Sequence, residues 1–301
     1  MSQIVAASPH VTTKNTTAVI MRDVLIALCP AVVAGCIVFG LRALLVIAVT
    51  TAACVFFEWG FEKLCDKPST IGDLSAAVTG VLLAMNLPVS IPLWQAVFGG
   101  LVAIVAVKGL FGGIGKNFAN PAITARIVMF LAFSKTMTAW VFPDAVSTAT
   151  PLAMMANGEA VDYLKLLLGN YGGCIGETST LALLIGFAYL LLRQVISWHT
   201  PVCFVGTVFV LSLILGQDAV GQILSGGLML GAIFMATDYS TTPSTTWGRV
   251  LFGVGAGLLT VLIRFYGAYA EGVSFAILFM NILTPYLSKW TQTKPFGGAA
   301  A

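Results

Sequence analysis

The chain reads Val24-Leu-Ile-Ala-Leu-Cys-Pro-Ala-Val-Val-Ala-Gly-Cys-Ile-Val-Phe-Gly40 near its N-terminus, a stretch with no charged residue. An apolar run of about this length is typical of a helix that crosses a membrane. Arg22 precedes it, as a basic residue precedes the apolar core of a secretory signal peptide. No clear Ala-x-Ala-like cleavage site follows, however, and more apolar runs come immediately. We therefore interpret the stretch as a retained first transmembrane helix.

The whole chain shares this composition, since 58% of its 301 residues are hydrophobic and only 9% are charged. A soluble domain carries about 25% charged residues. So few charges cannot cover a surface that faces water, and lipid must therefore be the solvent of this chain. The formal net charge is only +3 and the basic residues are scattered, which argues against nucleic-acid binding.

About ten apolar runs of helical length follow one another along the chain. They lie near residues 22–40, 43–61, 74–87, 92–111, 122–142, 180–194, 201–216, 219–236, 248–265 and 272–288. These runs predict an all-α polytopic membrane protein with about ten transmembrane helices. The third run is short for a bilayer, so we expect a broken, re-entrant or tilted helix there. Irregular backbone from Asn86 to Pro92 should follow it.

The basic residues predict the orientation of the helices, because cytoplasmic loops are rich in Lys and Arg. With both termini in the cytoplasm, ten of the 15 basic residues lie on the cytoplasmic side: Lys14, Arg22, Lys63, Lys67, Lys108, Lys116, Arg193, Arg249, Lys289 and Lys294. The other five are Arg42, Arg126, Lys135, Lys165 and Arg264. This split places the long central loop outside the cytoplasm. The loop is acidic, with Asp144, Glu159, Asp162 and Glu177 against Lys165 alone.

The predicted topology divides the chain into five parts. They are a cytoplasmic tail (1–21), a first membrane half (22–142), an extracytoplasmic loop (143–178), a second membrane half (179–289) and a second cytoplasmic tail (290–301). Because an odd number of helices precedes the loop, the two five-helix halves would have inverted orientations, as in many transporter folds. The sequence evidence for such a repeat is one shared feature, a Pro shortly before an Arg at a helix start (Pro121 with Arg126, Pro243 with Arg249).

The central loop contains the segment Asp144-Ala-Val-Ser-Thr-Ala-Thr150-Pro151. It resembles the recognition motif of flavin transferases, in which the last hydroxyl residue receives FMN through a phosphoester bond. The resemblance implies that Thr150 carries FMN and that Asp144, Ser147 and Ala149 are recognised by the transferase, with Thr148 where Gly or Ser is usual. An accessible loop suits this modification, because a phosphate inside lipid is costly. The alternative interpretation is a turn or a helix cap.

Further segments extend the resemblance from about residue 70 to the C-terminus. They are Thr79-Gly-Val-Leu-Leu-Ala-Met-Asn-Leu-Pro88, Gly112-Gly-Ile-Gly-Lys-Asn-Phe-Ala-Asn-Pro-Ala122, Met235-Ala-Thr-Asp-Tyr-Ser-Thr-Thr-Pro243 and Glu271-Gly-Val-Ser-Phe-Ala-Ile-Leu-Phe-Met-Asn-Ile-Leu-Thr-Pro285. In this order they resemble the RnfD/NqrB family, whose members are the RnfD component of the Rnf complex and the NqrB component of the sodium-translocating NADH:quinone reductase. Only about 20 residues precede the first helix, and this short extension resembles RnfD more closely.

The resemblance implies a membrane subunit of an oxidoreductase that couples reduced ferredoxin and NAD to Na⁺ or H⁺ translocation across the bacterial or archaeal cytoplasmic membrane. It implies covalent FMN on the outer face, a second, non-covalent riboflavin, and iron–sulfur clusters only in partner subunits. Membrane lipid, the other subunits and a flavin transferase would be the partners. No complete site for NAD or ferredoxin is evident in the sequence. A component of the quinone reductase, or a stand-alone channel or secondary transporter, remains the alternative.

Three further residues are candidates for cofactor binding. Asn120 opens a predicted helix, Arg126 lies just inside it, and Asp238 lies in a loop-like stretch. A charge within a membrane helix is expensive, so Arg126 is either functional or held by a structural partner. Asp238 could contact a flavin or cap the next helix.

Other residues invite mainly structural interpretations. Glu62 should reach water, whereas Glu58 among aromatic residues could serve an ion or proton path. Gly112 to Gly115 lacks the Lys-Ser/Thr of a phosphate loop and predicts a turn or close packing. The six cysteines have no Cys-x-x-Cys spacing and fit small hydrophobic residues, or a thiolate shared with a partner subunit. His199 has no second His near it in the sequence to form a metal pair, and no metal site is predicted.

Overall fold

The computed structural model describes residues 16–140, 150–177, 179–267 and 272–292. These residues form helices, turns and irregular segments, with no β-strand among them. The α-helices are α1 (Thr17–Phe39), α2 (Leu41–Leu64), α3 (Ser75–Met85), α4 (Leu93–Leu101), α5 (Pro121–Ala132), α6 (Ser134–Met137), α7 (Pro151–Ala156), α8 (Tyr163–Leu168), α9 (Thr180–Leu192), α10 (His199–Ile214), α11 (Ala219–Leu224), α12 (Leu228–Leu230), α13 (Thr246–Tyr266) and α14 (Val273–Trp290). The all-helical fold class is confirmed.

Two α-helices continue directly into π-helices. Helix α4 runs into a π-helix at Val102–Gly109, and α12 runs into one at Gly231–Met235. A short 3₁₀ turn, Ile71–Asp73, precedes α3. Segments of π-helix are rare and often occur at functional sites. Here they border the clefts described below.

Each of the ten predicted runs corresponds to a helix or a broken helix. Three helices, α1, α2 and α13, are long and apolar enough to cross a membrane by length and composition. The third run is the 11-residue α3, followed by irregular backbone from Asn86, as expected for a short helix. The eighth run is broken between α11 and α12 by Gly226 and Gly227, both in the left-handed backbone region at φ 67° and 66°.

Side chains at the helix starts explain many of the boundaries. Thr16, Asn120, Thr150, Asp162, Ser179, Asp218 and Thr245 each accept a backbone hydrogen bond at the start of a helix. Such caps satisfy amide groups that have no partner inside the helix. Gly40, at φ 71°, forms the one-residue turn between α1 and α2. Gly112, Gly113 and Gly115 also have positive φ, so this glycine-rich segment is a turn.

Helix packing relates the two halves of the chain. Helix α2 packs on α4 in the first half, and α10 packs on α13 in the second. Helices α1 and α9, which begin the halves, contact each other, and so do α5 and α14, which end them. One large apolar core joins all these helices. The contacts follow the pattern expected of a repeat, and the inverted orientation of the halves stays a prediction.

The last residues of the predicted outer loop do not lie on the surface. Residues 171–177 are buried, and their backbone pairs with the irregular end of α3. The amides of Ile175 and Gly176 donate to the carbonyls of Leu87 and Met85, at 3.1 and 2.7 Å. This re-entrant segment, residues 171–177, supplies the polar partners that the end of α3 needs inside an apolar bundle.

Candidate functional site

One cleft is lined by candidate binding residues from distant parts of the sequence. It contains about 770 Å³ of space, part of it open to the outside. Apolar walls come from Val78, Leu82, Ile196 and Phe234, among others. The polar lining includes Lys108, Asn117, Asn120, Thr237, Asp238 and Ser240. We call this the amide cleft. Mostly apolar walls with a few polar groups are typical of a small-molecule site.

Asn120 is fixed at the edge of the amide cleft by four contacts. Its side-chain oxygen accepts from the amides of Ala122 and Ile123, at 3.0 and 3.3 Å. Its side-chain nitrogen donates to the Met235 carbonyl at 3.4 Å. With its amide oriented to satisfy both atoms, Asn281 accepts from the Asn120 backbone amide at 3.1 Å. The predicted helix start is therefore also a junction between the two halves.

Asn117 is a residue that the sequence prediction missed. Its side-chain oxygen is buried and has no hydrogen-bond partner among the described residues. It lines the amide cleft three residues before Asn120. A buried acceptor without a partner carries a desolvation cost that a ligand N–H would remove. The signal in the sequence was the Asn-x-x-Asn spacing within the glycine-rich segment.

Asp238 lies in the turn that follows the second π-helix, where it lines the amide cleft. Its carboxylate accepts from the hydroxyls of Ser240 and Thr241, at 3.0 and 3.1 Å. Burial raises the pKa of this carboxyl above its usual value, and the hydrogen bonds oppose the shift. The prediction that Asp238 caps the next helix is wrong, because Thr245 caps α13.

Arg126 does not line the amide cleft but forms an ion pair in the interior. Its guanidinium lies 3.4 Å from the Glu177 carboxylate, and both residues are 5% exposed. It also donates to the side chains of Asn86 (3.1 Å) and Ser274 (2.8 Å). The structural interpretation of Arg126 is thus the one its contacts support. Glu177, assigned to the outer loop from the sequence, lies on the buried re-entrant segment.

Polar contacts continue from this ion pair toward the amide cleft. The side-chain nitrogen of Asn86, whose oxygen accepts from Arg126, lies 3.6 Å from the Met235 sulfur. The Met235 carbonyl in turn accepts from Asn120. The thiol of Cys174 donates to the Asn86 carbonyl at 3.2 Å. Cys174 therefore has a polar role that a small hydrophobic residue would not have.

A second buried ion pair borders the other side of the amide cleft. The Lys108 ammonium, on the first π-helix, contacts Glu58 and donates to the Ser75 hydroxyl at 2.7 Å. The second carboxylate oxygen of Glu58 is buried without a partner among the described residues. Glu62 is only 7% exposed and accepts from the Thr70 amide at 3.0 Å. The prediction that Glu62 reaches water is wrong, because the chain after α2 folds back over it.

Thr150 lies at the opposite end of the bundle from these clefts, at the start of α7. Its hydroxyl accepts from the Ala153 amide at 3.3 Å, so it caps the helix. The next two residues, Pro151 and Leu152, are buried. Asp144, Ser147 and Ala149, the other motif residues, lie outside the described residues.

Helix α7 rests on the break between α11 and α12, close to Arg264. A Cβ placed on Gly226 would lie 2.4 Å from Leu152 and 2.7 Å from the Arg264 guanidinium. That guanidinium donates to the carbonyls of Gln222, Ser225 and Gly226, at 2.6, 3.0 and 3.3 Å. Arg264 thus holds together the break on which α7 rests, a structural role that sequence reasoning missed.

The described residues contain no group of three or more His, Cys, Asp and Glu side chains that could hold a metal ion.

Comparison with known proteins gives close relatives over nearly the whole chain. Residues 4–297 match the NQR2, RnfD, RnfE family. The chain is 45% identical to the D component of the Na⁺-translocating ferredoxin:NAD⁺ oxidoreductase complex of Acetobacterium woodii, covering 97% of this chain and 95% of the relative. It is 40% identical to the D component of the proton-translocating ferredoxin:NAD⁺ oxidoreductase complex of Clostridium ljungdahlii, covering 97% and 96%. It is 34% identical to the D component of the ion-translocating oxidoreductase complex of Halorhodospira halophila, covering 99% and 96%.

Proposed function

Because the chain belongs to the NQR2, RnfD, RnfE family, we propose that it is the RnfD component of an Rnf-type ion-translocating ferredoxin:NAD⁺ oxidoreductase. The observation that supports this function is that the chain is similar, over almost its full length, to the D components of ferredoxin:NAD⁺ oxidoreductase complexes. Ferredoxin and NAD⁺ would react on other subunits of the complex, and this chain would pass electrons within the membrane. The coupling ion is Na⁺ in the name of one relative and H⁺ in that of another.

Thr150 is the proposed attachment point of covalent FMN. Its motif resembles that of flavinylated proteins. Its hydroxyl caps the start of α7, at the end of the bundle opposite the amide cleft. A phosphoester on Thr150 is negative, and a negative charge costs less on an accessible loop than inside lipid. Helix α7 rests on the α11–α12 break, which Arg264 holds through hydrogen bonds to three carbonyls, so the start of α7 has a fixed support. These features support the assignment of the last motif residue.

Thr150→Ala tests the attachment. The full chain is produced with a flavin transferase, denatured and examined for flavin fluorescence in a gel. The wild-type band should fluoresce, Thr150→Ala should lose the signal, and Thr150→Ser should keep it, because serine retains the hydroxyl that forms the ester. A fluorescent Thr150→Ala band would assign the flavin to another residue. A dark wild-type band would remove covalent FMN from the proposal.

The amide cleft is the proposed place of the second flavin, a riboflavin. The apolar walls and the side chain of Asn117 would hold it, with Asn120 fixing the edge of the cleft. The Asn117 oxygen without a partner is the feature that fits such a ligand. When bound, riboflavin supplies one- and two-electron redox chemistry. The chain's own residues would bind it, orient it and exclude water, and Asp238 would lie beside it at the edge of the cleft.

Asn117→Ala tests this second site. Losing one hydrogen bond of about 0.5–1.5 kcal/mol should raise the dissociation constant of non-covalent riboflavin by roughly 2- to 12-fold. Fluorescence quenching on titration of flavin-depleted protein measures it. Asn157→Ala is the matched control, because Asn157 is exposed at the end of α7 on the opposite side of the bundle. Equal affinities for both variants would remove riboflavin from the amide cleft.

The flavin-bearing loop is proposed to face away from the cytoplasm, with both termini inside the cell. Lys108, Arg193 and the amide cleft lie near one end of the bundle, and Thr150 and Arg264 lie near the other. Cytoplasmic loops are rich in Lys and Arg. The larger group of basic residues therefore favours placing the end with Lys108 and Arg193 in the cytoplasm. A stand-alone transporter is the alternative, and it predicts solute flux by the isolated chain without flavin.

A further inference from the structure

A second cleft with a different character opens beside the amide cleft. It lies between the starts of α10 and α13 and contains about 480 Å³ of space, part of it open to the outside. We call it the hydroxyl cleft. Its polar lining includes Ser197, Thr200, Thr242, Ser244 and Arg249. Among the described residues that line it there is no carboxylate. This composition favours a negatively charged ligand.

Arg249 supplies the positive charge of the hydroxyl cleft. Its Nε donates to the Pro243 carbonyl at 3.2 Å, which fixes the direction of the guanidinium. In the part of the chain that the structure describes, its two terminal nitrogens form no ion pair with a carboxylate. A guanidinium held in this way presents parallel N–H groups, the arrangement that recognises phosphate oxygens.

Thr200 is the second observation that indicates a ligand. It is only 1% exposed, yet its hydroxyl forms no hydrogen bond with the described residues, and it lines the hydroxyl cleft. This hydroxyl is therefore available to a ligand in the cleft. Thr200 lies in the first turn of the 16-residue α10, and α13 also starts at this cleft. Helix starts carry partial positive charge and free amide groups, so both favour an anion.

Exposed tryptophans place the hydroxyl cleft at a membrane surface. Trp198, Trp247 and Trp290 are 54%, 72% and 75% exposed. Trp198 and Trp247 lie at the starts of α10 and α13, and Trp290 ends α14 next to the start of α13, because the hydroxyls of Thr245 and Thr291 contact each other. Tryptophan concentrates at the level of lipid headgroups. A phosphate at this depth is most directly supplied by a lipid.

We propose that the hydroxyl cleft binds the phosphate group of a membrane phospholipid, held by Arg249, Thr200 and the starts of α10 and α13. The hydroxyl cleft shares Ile196, Thr237 and Tyr239 with the amide cleft, but neither Thr150 nor Asn117 lines it. A free phosphate ion has the same chemistry, and the experiment separates the two sources.

The test compares the full chain with three variants after purification in a neutral detergent. Native mass spectrometry counts bound phospholipid, and equilibrium dialysis with radiolabelled inorganic phosphate measures the free ion. Arg249→Gln should lower phospholipid retention about tenfold, because charge-assisted hydrogen bonds are lost. Thr200→Val, which conserves shape, should lower it less. Arg22→Gln is the matched control, because Arg22 is exposed near the same end of the bundle and does not line the cleft.

Three results decide the proposal. Phospholipid lost in Arg249→Gln but kept in Arg22→Gln supports the lipid site. Radiolabelled phosphate bound by the wild type, and lost in the same variant, supports the phosphate site with the free ion as its source. The proposal is overturned if the wild type retains no phospholipid. It is also overturned if phospholipid retention falls equally in Arg249→Gln and Arg22→Gln. If Arg249→Gln does not elute as a folded monodisperse species, the Thr200→Val result alone decides.

Discussion

Arg126 and Glu177 are each 5% exposed, so each charge is tolerated in the bundle because of the other. Removing one partner leaves an uncompensated buried charge, which typically costs about 3–5 kcal/mol. Arg126 could be singled out from the sequence, because a lone charge in an apolar helix needs a partner. Its partner Glu177 could not be predicted, because it belongs to the acidic loop and the preceding run Gly-Gly-Cys-Ile-Gly gives no sign of burial.

We expect Arg126→Met and Glu177→Gln each to lower the free energy of unfolding by about 3–5 kcal/mol. The double variant should be less damaged than the sum of the two, because neither charge is then left alone. Unfolding in mixed detergent micelles, followed by tryptophan fluorescence, measures all three. Lys289→Gln, an exposed change in the last turn of α14, serves as the control. Single variants that behave like this control would contradict the proposed pairing.

At the scale of an element, the re-entrant segment depends on glycine. A Cβ on Gly176 would lie 2.6 Å from the Met85 side chain and 2.9 Å from its carbonyl oxygen, too close for any real contact. The runs of apolar residues predicted the main helices, including the short α3, but not the short helices α7 and α8 of the central loop. They could not predict this segment, because its burial depends on backbone pairing between residues about 90 positions apart.

Gly176→Ala should therefore lower the free energy of unfolding by about 1–3 kcal/mol, the usual cost of overpacking. Gly206→Ala in α10 is its matched control, because a Cβ there meets nothing within 4 Å. That control should be neutral or stabilising by about 0.5–1 kcal/mol, since alanine favours a helix over glycine. Thermal unfolding of both variants beside the wild type gives the comparison. The packing argument fails if Gly176→Ala is as stable as Gly206→Ala.

The break between α11 and α12 supports the helix that begins at Thr150. Replacing Arg264 by Gln would remove hydrogen bonds to three carbonyls at this break. We expect covalent flavin to form on Thr150 in this variant, but with greater mobility, seen as lower fluorescence anisotropy. Arg42→Gln, another arginine on a membrane helix, should leave the anisotropy unchanged. Unaltered anisotropy in Arg264→Gln would show that the break does not orient the flavin.

At the scale of the whole molecule, the two ends of the bundle should face different compartments. Cys65 is exposed at the end of α2, on the proposed cytoplasmic side. A membrane-impermeant maleimide should label Cys65 in inverted vesicles and not in intact cells, with the other cysteines replaced by serine. Glu159→Cys in the same background should show the reverse pattern. Labelling of both positions from one side would overturn the proposed topology.

The pairing of Arg126 with Glu177 also has an electrical consequence for an energised membrane. A single charge moved through the potential gains or loses about 2.3 kcal/mol per 100 mV. The two opposite charges lie 3.4 Å apart and move together, so their contributions nearly cancel. The middle of the bundle should therefore keep the same conformation when the voltage is built up and when it collapses.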